Sequence, residues 1–344
     1  MGSVAWRWLE VPPADWDALL EQDPNASPAH RPALWRALAD SATGLSPEFI
    51  AVERDGALLG GCGVVVERRG GLFWIHALPH LLPGAPLARA GEHHAVDRAV
   101  AEALAIRLHA LRAVGGEWVM YRPMGPTPEA AVLDWLSGQT RMLETAWIEL
   151  DGGRERAWRS LEGDLRQQIR RAHRIGLEFR EEPEALEEAY ALYAAQARAW
   201  RGHRLRPLAL VRRLLAGAGD DPAVGRLFTV RDRGGLLAAV LALTRAREVM
   251  AWWAGVHPAG RRRHAFPLLL WSVAEWAASA GAVRLNLGGS AGSESLAAFK
   301  RSFGARSFRY PVRWLDAAHA GFFGRWVARL QEARRRDRAR GEEP

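Results

Sequence analysis

Residues 250–289 read MAWWAGVHPAGRRRHAFPLLLWSVAEWAASAGAVRLNLGG, and the punctuation of this stretch decides the fold. A tryptophan-bearing apolar run suits a strand, and His257-Pro258 interrupts it. Three arginines follow Gly260, a long apolar run suited to a helix ends at Gly281, and AVRLNLGG resumes as a strand. Strand, turn, helix and strand in that order is the building unit of an α/β protein. The apolar run 266–283 carries Pro267 and Glu275 and barely reaches spanning length, so a buried helix is expected and no membrane span.

The neighbourhood extends the pattern. AVGRLFTVRDRGG, LLAAVLALTRAR and EVMAWWAGVHP (223–258) predict three consecutive antiparallel strands. Helices at 154–176, 183–200 and 207–219 and a strand at 177–182 precede them. ESLAAFKRSFG predicts a short helix, and RSFRYPVRWL (306–315) a last strand. The first half follows a similar order in different letters. It offers a strand at 4–10, helices at 13–22 and 30–40, a hairpin turning at Asp55-Gly56, and a third strand at 72–78. A Pro- and Gly-rich loop at 78–91, helix 92–116, strand 117–123, helix 128–137 and strand 142–152 complete it. The expectation is a tandem protein: a first unit over 1–150, a second over 151–318, and a basic helical tail over 319–344.

The chain has 344 residues, 49% hydrophobic and 25% charged, which allows a sizeable core in each unit. Its one cysteine, Cys62, excludes an internal disulfide, sits in an apolar run and reads as a buried thiol. Residues 1–10 hold no apolar segment suited to a signal peptide, so a cytoplasmic protein is expected. The net charge of +8 favours a polyanionic partner. Of 47 basic residues, 46 are arginine, and asparagine occurs only at Asn25 and Asn286. A composition that writes arginine wherever charge alone matters makes the single lysine, Lys300, informative, because a compact ammonium is not a planar fork. No HExxH, CxxC, GxSxG or Walker loop is present. His93 and His94 are adjacent on a helix and point about 100° apart, a poor metal pair, so no metal is expected.

Four segments, QQIRRAHRIG (167–176), AQARAWRGH (ending at 203), PLLLWSVAEWAASAGAVRLNLGGS (267–290) and LAAFKRSFG (296–304), resemble the Fem-like branch of the GNAT acyltransferases. The resemblance implies two tandem GNAT-like units, each a mixed, mainly antiparallel sheet flanked by helices. The second unit would take the acyl donor, and the first, degenerate unit the acceptor. It implies transfer of an aminoacyl group from aminoacyl-tRNA to an amine of a small molecule or peptide, with no cofactor beyond that co-substrate. Two alternatives stand beside it: an acyl-CoA-dependent GNAT N-acyltransferase, and a catalytically silent RNA-binding protein on the same fold.

On this reading Lys300 is expected near the reacting ester, where an ammonium would stabilise a tetrahedral oxyanion. Gly288, Gly289 and Ser290 would let backbone approach the donor, with Phe299 beside it. CoA-binding relatives carry glycines in the turn before the long helix. Here Arg261, Arg262 and Arg263 stand there, which weakens the CoA reading while offering bidentate grips for phosphate. Helix 154–176 carries seven arginines against three acids, and Arg166, Arg170, Arg171 and Arg174 are the expected tRNA contacts. His203 is the first candidate general base and His257 the second. Tyr121 and Arg122, with Trp253, are expected on the acceptor side. Each choice has a plainer rival: a surface lysine at a helix end, a solvated arginine helix, a strand-end arginine facing water, a core tryptophan.

Overall fold

The computed structural model describes residues 3–78, 82–126, 128–198, 205–217, 223–245 and 247–316. The tail over 319–344 therefore lies outside the described residues. In chain order the first half forms β1 (Val4–Leu9), α1 (Trp16–Gln22), α2 (Pro32–Ser41), β2 (Leu45–Arg54), β3 (Ala57–Arg69), β4 (Leu72–Ala77) and β5 (Leu87–Ala88). It continues with α3 (His93–Ala110), β6 (Gly115–Val119), α4 (Ala130–Leu133) and β7 (Gly138–Glu149). Next come α5 (Gly153–Ser160), α6 (Gly163–Arg174), β8 (Glu178–Glu181), α7 (Leu186–Ala197), α8 (Leu208–Ala216), β9 (Gly225–Asp232), β10 (Gly235–Arg245) and β11 (Glu248–Val256). The last elements are α9 (Pro258–Arg262), α10 (Ala265–Ser279), β12 (Arg284–Asn286), α11 (Glu294–Ser302) and β13 (Arg306–Leu315).

Contacts divide the described residues into two compact units, neither continuous in sequence: 3–30, 42–143 and 310–316 in one, 31–41 and 144–309 in the other. Each is a mixed, mainly antiparallel sheet with helices against it, the architecture that the resemblance implies. In the first unit the strand order is β1-β2-β3-β4-β6-β13, antiparallel except for the β4–β6 pair. The hairpin turn expected at Asp55-Gly56 forms with φ of 51° and 80°, the left-handed pair that suits strand twist. Helix α3 lays Val96, Val100, Leu104 and Leu108 against β1 to β3. Cys62 is fully buried on β3, and burial pushes its thiol pKa up, so it is a core residue.

One polar cluster crosses three strands of this sheet. His76 on β4 holds Glu117 of β6 through Nδ1 at 2.7 Å and Glu67 of β3 through Nε2 at 3.1 Å. Burial alone would lower its pKa, but Glu117, followed by Glu67, outweighs burial and raises it to about 9. At neutral pH the imidazolium therefore donates to both carboxylates.

In the second unit the strand order is β7-β12-β11-β10-β9-β8, antiparallel except for β11–β12. One face of this sheet carries α6 and α10 over Leu165, Ile169, Phe228, Val240, Leu268, Leu269 and Val273. The other carries α7 and α8 over Leu186, Tyr193, Val211, Leu227 and Leu241. The apolar run 266–283 is α10, buried along ten of its residues, and no described helix is long and apolar enough to cross a membrane. Helix α2 joins this unit from far upstream by packing on α8.

Three expectations change. The single helix over 154–176 is two helices, α5 and α6, because Leu161 turns extended and is buried, and Glu162 stays extended to start α6. The helix over 128–137 shrinks to Ala130–Leu133. The loop over 78–91 contains β5, which pairs with β3 through Gly60 and Gly61.

Candidate active site

The site is built on the second unit, from the turn before α10. Here the sequence suggested an open basic loop, and the structure has α9 instead. Pro258 occupies its first turn, and the His257 side chain caps it by accepting from the Ala259 N–H at 3.2 Å. Further backbone donors are consumed locally: Arg261 N–H bonds to His257 O, Arg263 N–H to Gly260 O, and His264 N–H to Arg261 O. Gly260 is required by packing, since a Cβ there would sit 2.3 Å from the Leu237 carbonyl oxygen. Arg263 is ion-paired with Asp232. Arg261 and Arg262 are exposed and have no ion-pair partner among the described residues. His264 reaches φ +60° to start α10, and its pKa is lowered by burial and by the nearby Arg171. His257, the second candidate base, is thus a helix cap.

Strand β12 is only three residues long and opens into Leu287-Gly288-Gly289-Ser290. Gly288 has φ +70°, and Ser290 is buried. Ser293 caps α11 by accepting from the Leu296 N–H at 3.3 Å. Helix α11 delivers Lys300 back under the turn. Its side chain is 5% exposed, and Nζ donates to the carbonyls of Gly288 and Gly289, each at 2.7 Å. Burial pushes the Lys300 pKa down to about 8, with Glu144 opposing the shift. This geometry accounts for a lysine in an arginine-rich chain: a compact ammonium on a flexible stem can serve two converging carbonyls in a closed space. Phe299, one residue earlier, stacks on Phe266 of α10 with centroids 5.5 Å apart and 14° between planes. That contact ties α11 to the start of α10.

Helix α6 turns Leu165, Ile169 and Ala172 inward, the i, i+4, i+7 stripe of an amphipathic helix. Arg170, Arg171 and Arg174 are exposed, and Arg166 is half-buried. Arg166 donates to the Arg159 carbonyl at 3.2 Å, and Arg170 lies 5.6 Å over the Trp158 ring. None of the four has an acidic partner among the described residues. Through Arg171 and His264 this basic face adjoins the Arg261–Arg262 corner.

The remaining expected residues lie elsewhere. Strand alternation would send Trp252 and Trp253 to opposite faces. A bulge between Leu241 and Ala242 leaves Trp252 without an opposite residue, so both tryptophans pack with the α7–α8 layer. Trp253 is 5% exposed and stacks on Tyr193 at 4.8 Å. In the first unit Tyr121 is fully buried edge-on to Tyr310. Arg122 is also buried, with its guanidinium donating to both Asp97 oxygens at 2.7 and 2.8 Å and to the carbonyls of Pro86 and Pro126. The structure gives it the task of an internal ion pair. His203 lies outside the described residues. Among the described residues no cluster of three metal-binding side chains occurs.

Sequence reasoning missed a buried polar chain behind Lys300. Asn286 accepts from the Gly288 N–H at 2.9 Å and the Thr145 hydroxyl at 2.6 Å, and donates to Glu248 at 3.2 Å. Glu248 in turn accepts from Arg284 Nε at 2.6 Å. The available signal was the rarity of asparagine, one of whose two occurrences falls inside a strand.

The family profile for the acetyltransferase (GNAT) domain matches residues 159–301, which hold all of this site from α6 to Lys300. No curated protein sequence matches the chain. Among solved structures, FemX superposes with a TM-score of 0.70 at 13% identity, over 89% of this chain and 96% of that one. The C-terminal domain of a putative lysylphosphatidylglycerol synthetase from Agrobacterium fabrum gives 0.56 at 14% identity, over 92% and 93%. A tandem GNAT protein from the clavulanic acid biosynthesis pathway gives 0.55 at 13%, over 92% and 99%. Such identities speak to fold alone: the chain has a tandem GNAT architecture, and residues 159–301 of its second unit are similar to the acetyltransferase (GNAT) domain.

Proposed function

We propose that this protein is an aminoacyltransferase that moves an aminoacyl group from aminoacyl-tRNA to an amine of a small molecule or peptide. The observation that carries the choice of donor is the closed turn before α10. A CoA pyrophosphate needs free backbone N–H groups at that corner. Here the N–H groups of Ala259, Arg261, Arg263 and His264 are used within the turn, and Gly260 is pressed against Leu237. The adjoining exposed face of α6 suits a phosphate backbone instead.

In this mechanism the donor ester lies against the Gly288–Gly289 turn. The acceptor amine attacks the ester carbonyl, and the charge that develops on oxygen meets the Lys300 ammonium. The new C–N bond forms, the ester C–O bond breaks, and the terminal ribose hydroxyl leaves with a proton. Lys300 needs no carboxylate partner for this role; its two carbonyl contacts orient the charge without cancelling it.

A second reading, an acyl-CoA-dependent N-acyltransferase, draws on the unpaired pair Arg261 and Arg262, which suits a diphosphate. One assay separates the two. Purified protein is incubated with charged tRNA and a panel of amines, with and without RNase, and in parallel with acetyl-CoA. An amide product that disappears with RNase is expected. Product from acetyl-CoA alone, unaffected by RNase, overturns the tRNA reading.

A further inference from the structure

We propose that Asn286 is a positioning residue for Lys300: anchored by Glu248, it fixes the Gly288–Gly289 turn whose two carbonyls hold the ammonium. The inference rests on the role of Lys300 given above and extends it to a residue outside the reacting atoms.

The orientation of the Asn286 amide is forced by chemistry. An ionised Glu248 only accepts, so the Asn286 NH2 group must face it. The Asn286 oxygen is then left to receive the Gly288 N–H and the Thr145 hydroxyl, both donors. Glu248 is itself fixed by Arg284, and Asn286, Glu248 and Arg284 are all buried. Nothing in this chain can rotate without leaving a buried polar group unpaired, which is costly.

The turn is clamped from its other sides as well. The Gly288 carbonyl also accepts from Ala146 N–H at 3.1 Å, and a Cβ on Gly289 would lie 2.6 Å from the Glu144 carbonyl oxygen. The result is a rigid pair of acceptors, set from below by Asn286, on which Lys300 rests. Two of the three ammonium protons are used there, and the third finds no acceptor among the described residues. Fixing two donors fixes the direction of the third, so Asn286 acts on catalysis through Lys300. Glu144 is the charged group that acts on this ammonium, from the strand beside the turn.

Because the chain has one lysine, an amine-reactive reagent reports on this side chain alone once the N-terminal amine is separated by peptide mapping. The test measures the pH dependence of Lys300 labelling by trinitrobenzenesulfonate in the full-length parent, Asn286→Ala and Thr145→Val. The parent is expected to label slowly, with a midpoint near pH 8. In Asn286→Ala the midpoint should move by about one unit or more from the parent's, and labelling should quicken as the closed space around the amine loosens. Thr145→Val, which keeps the shape and removes one contact, should shift the same way by less. Turnover of Asn286→Ala should fall about 100-fold in kcat with donor KM unchanged. A folded Asn286→Ala whose Lys300 labels like the parent overturns the proposal, whatever its turnover. If that variant does not fold, an unshifted Thr145→Val overturns it instead. Labelling needs no donor, so its failure belongs to Asn286, whereas missing product with shifted labelling belongs to the aminoacyl-tRNA reading.

Discussion

The Lys300 ammonium meets the Gly288 carbonyl at 2.7 Å, so a helix and the turn that precedes it are joined by one side chain twelve residues away. Lys300→Ala should therefore lower turnover by about 2.7–4 kcal/mol of barrier, as when an oxyanion donor is lost. Lys300→Arg should recover little, because a planar fork cannot take the place of the ammonium between two converging carbonyls. With the lysine pKa near 8, rate should decline as pH rises through that value, about two units before an ordinary lysine would titrate. A pH–rate profile of the parent checks this, and a flat profile between pH 7 and 9.5 contradicts it.

Arg122 is an ion-pair partner of Asp97 in a closed site. Arg122→Ala strands a buried carboxylate and should cost about 3–5 kcal/mol of stability. Denaturant melts measure that loss. If instead the variant keeps its stability and raises the acceptor KM, the arginine faces substrate after all.

His76 makes the first unit sensitive to alkali. Its folded pKa of about 9 lies above the ordinary 6.5, so its contribution is complete below about pH 6.5 and fades between there and about 9. Thermal melts at pH 6, 8 and 10 should show the parent losing stability across that window. His76→Gln should start lower and change less. Parallel curves for the two proteins would remove His76 from the account.

Arg171 and Arg174 carry charge outward from α6 without packing beneath it. Arg171→Glu with Arg174→Glu should leave stability within about 0.5 kcal/mol, as for exposed sites. The same pair should weaken tRNA binding and flatten its salt dependence. Filter binding from 50 to 300 mM salt gives the slope. An unchanged slope assigns these arginines to solvent. Arg170 is a poorer probe, since it also covers Trp158.

Local order was legible in the sequence because apolar spacing and glycine stops are local. The strand Arg306–Leu315 and the short helix before it follow directly from such signals. Lys300 stood out only because composition had removed every other lysine. What stayed hidden depends on distant partners. Arg122 looked free because Asp97 lies 25 residues away, and Trp253 was expected on the acceptor side because its stacking partner, Tyr193, comes from a distant helix. The basic turn looked open because letters alone do not say that Gly260 touches Leu237.

The exchange of outer strands has a consequence for inheritance. β13, last in the chain, completes the first sheet through Val312 to Leu315, while β7, from the first half, completes the second through Trp147 to Glu149. Helix α2 is likewise lent across. A chain built this way cannot be halved at its middle. Neither half of the coding sequence could be lost, shuffled or replaced alone without leaving a sheet short of its sixth strand.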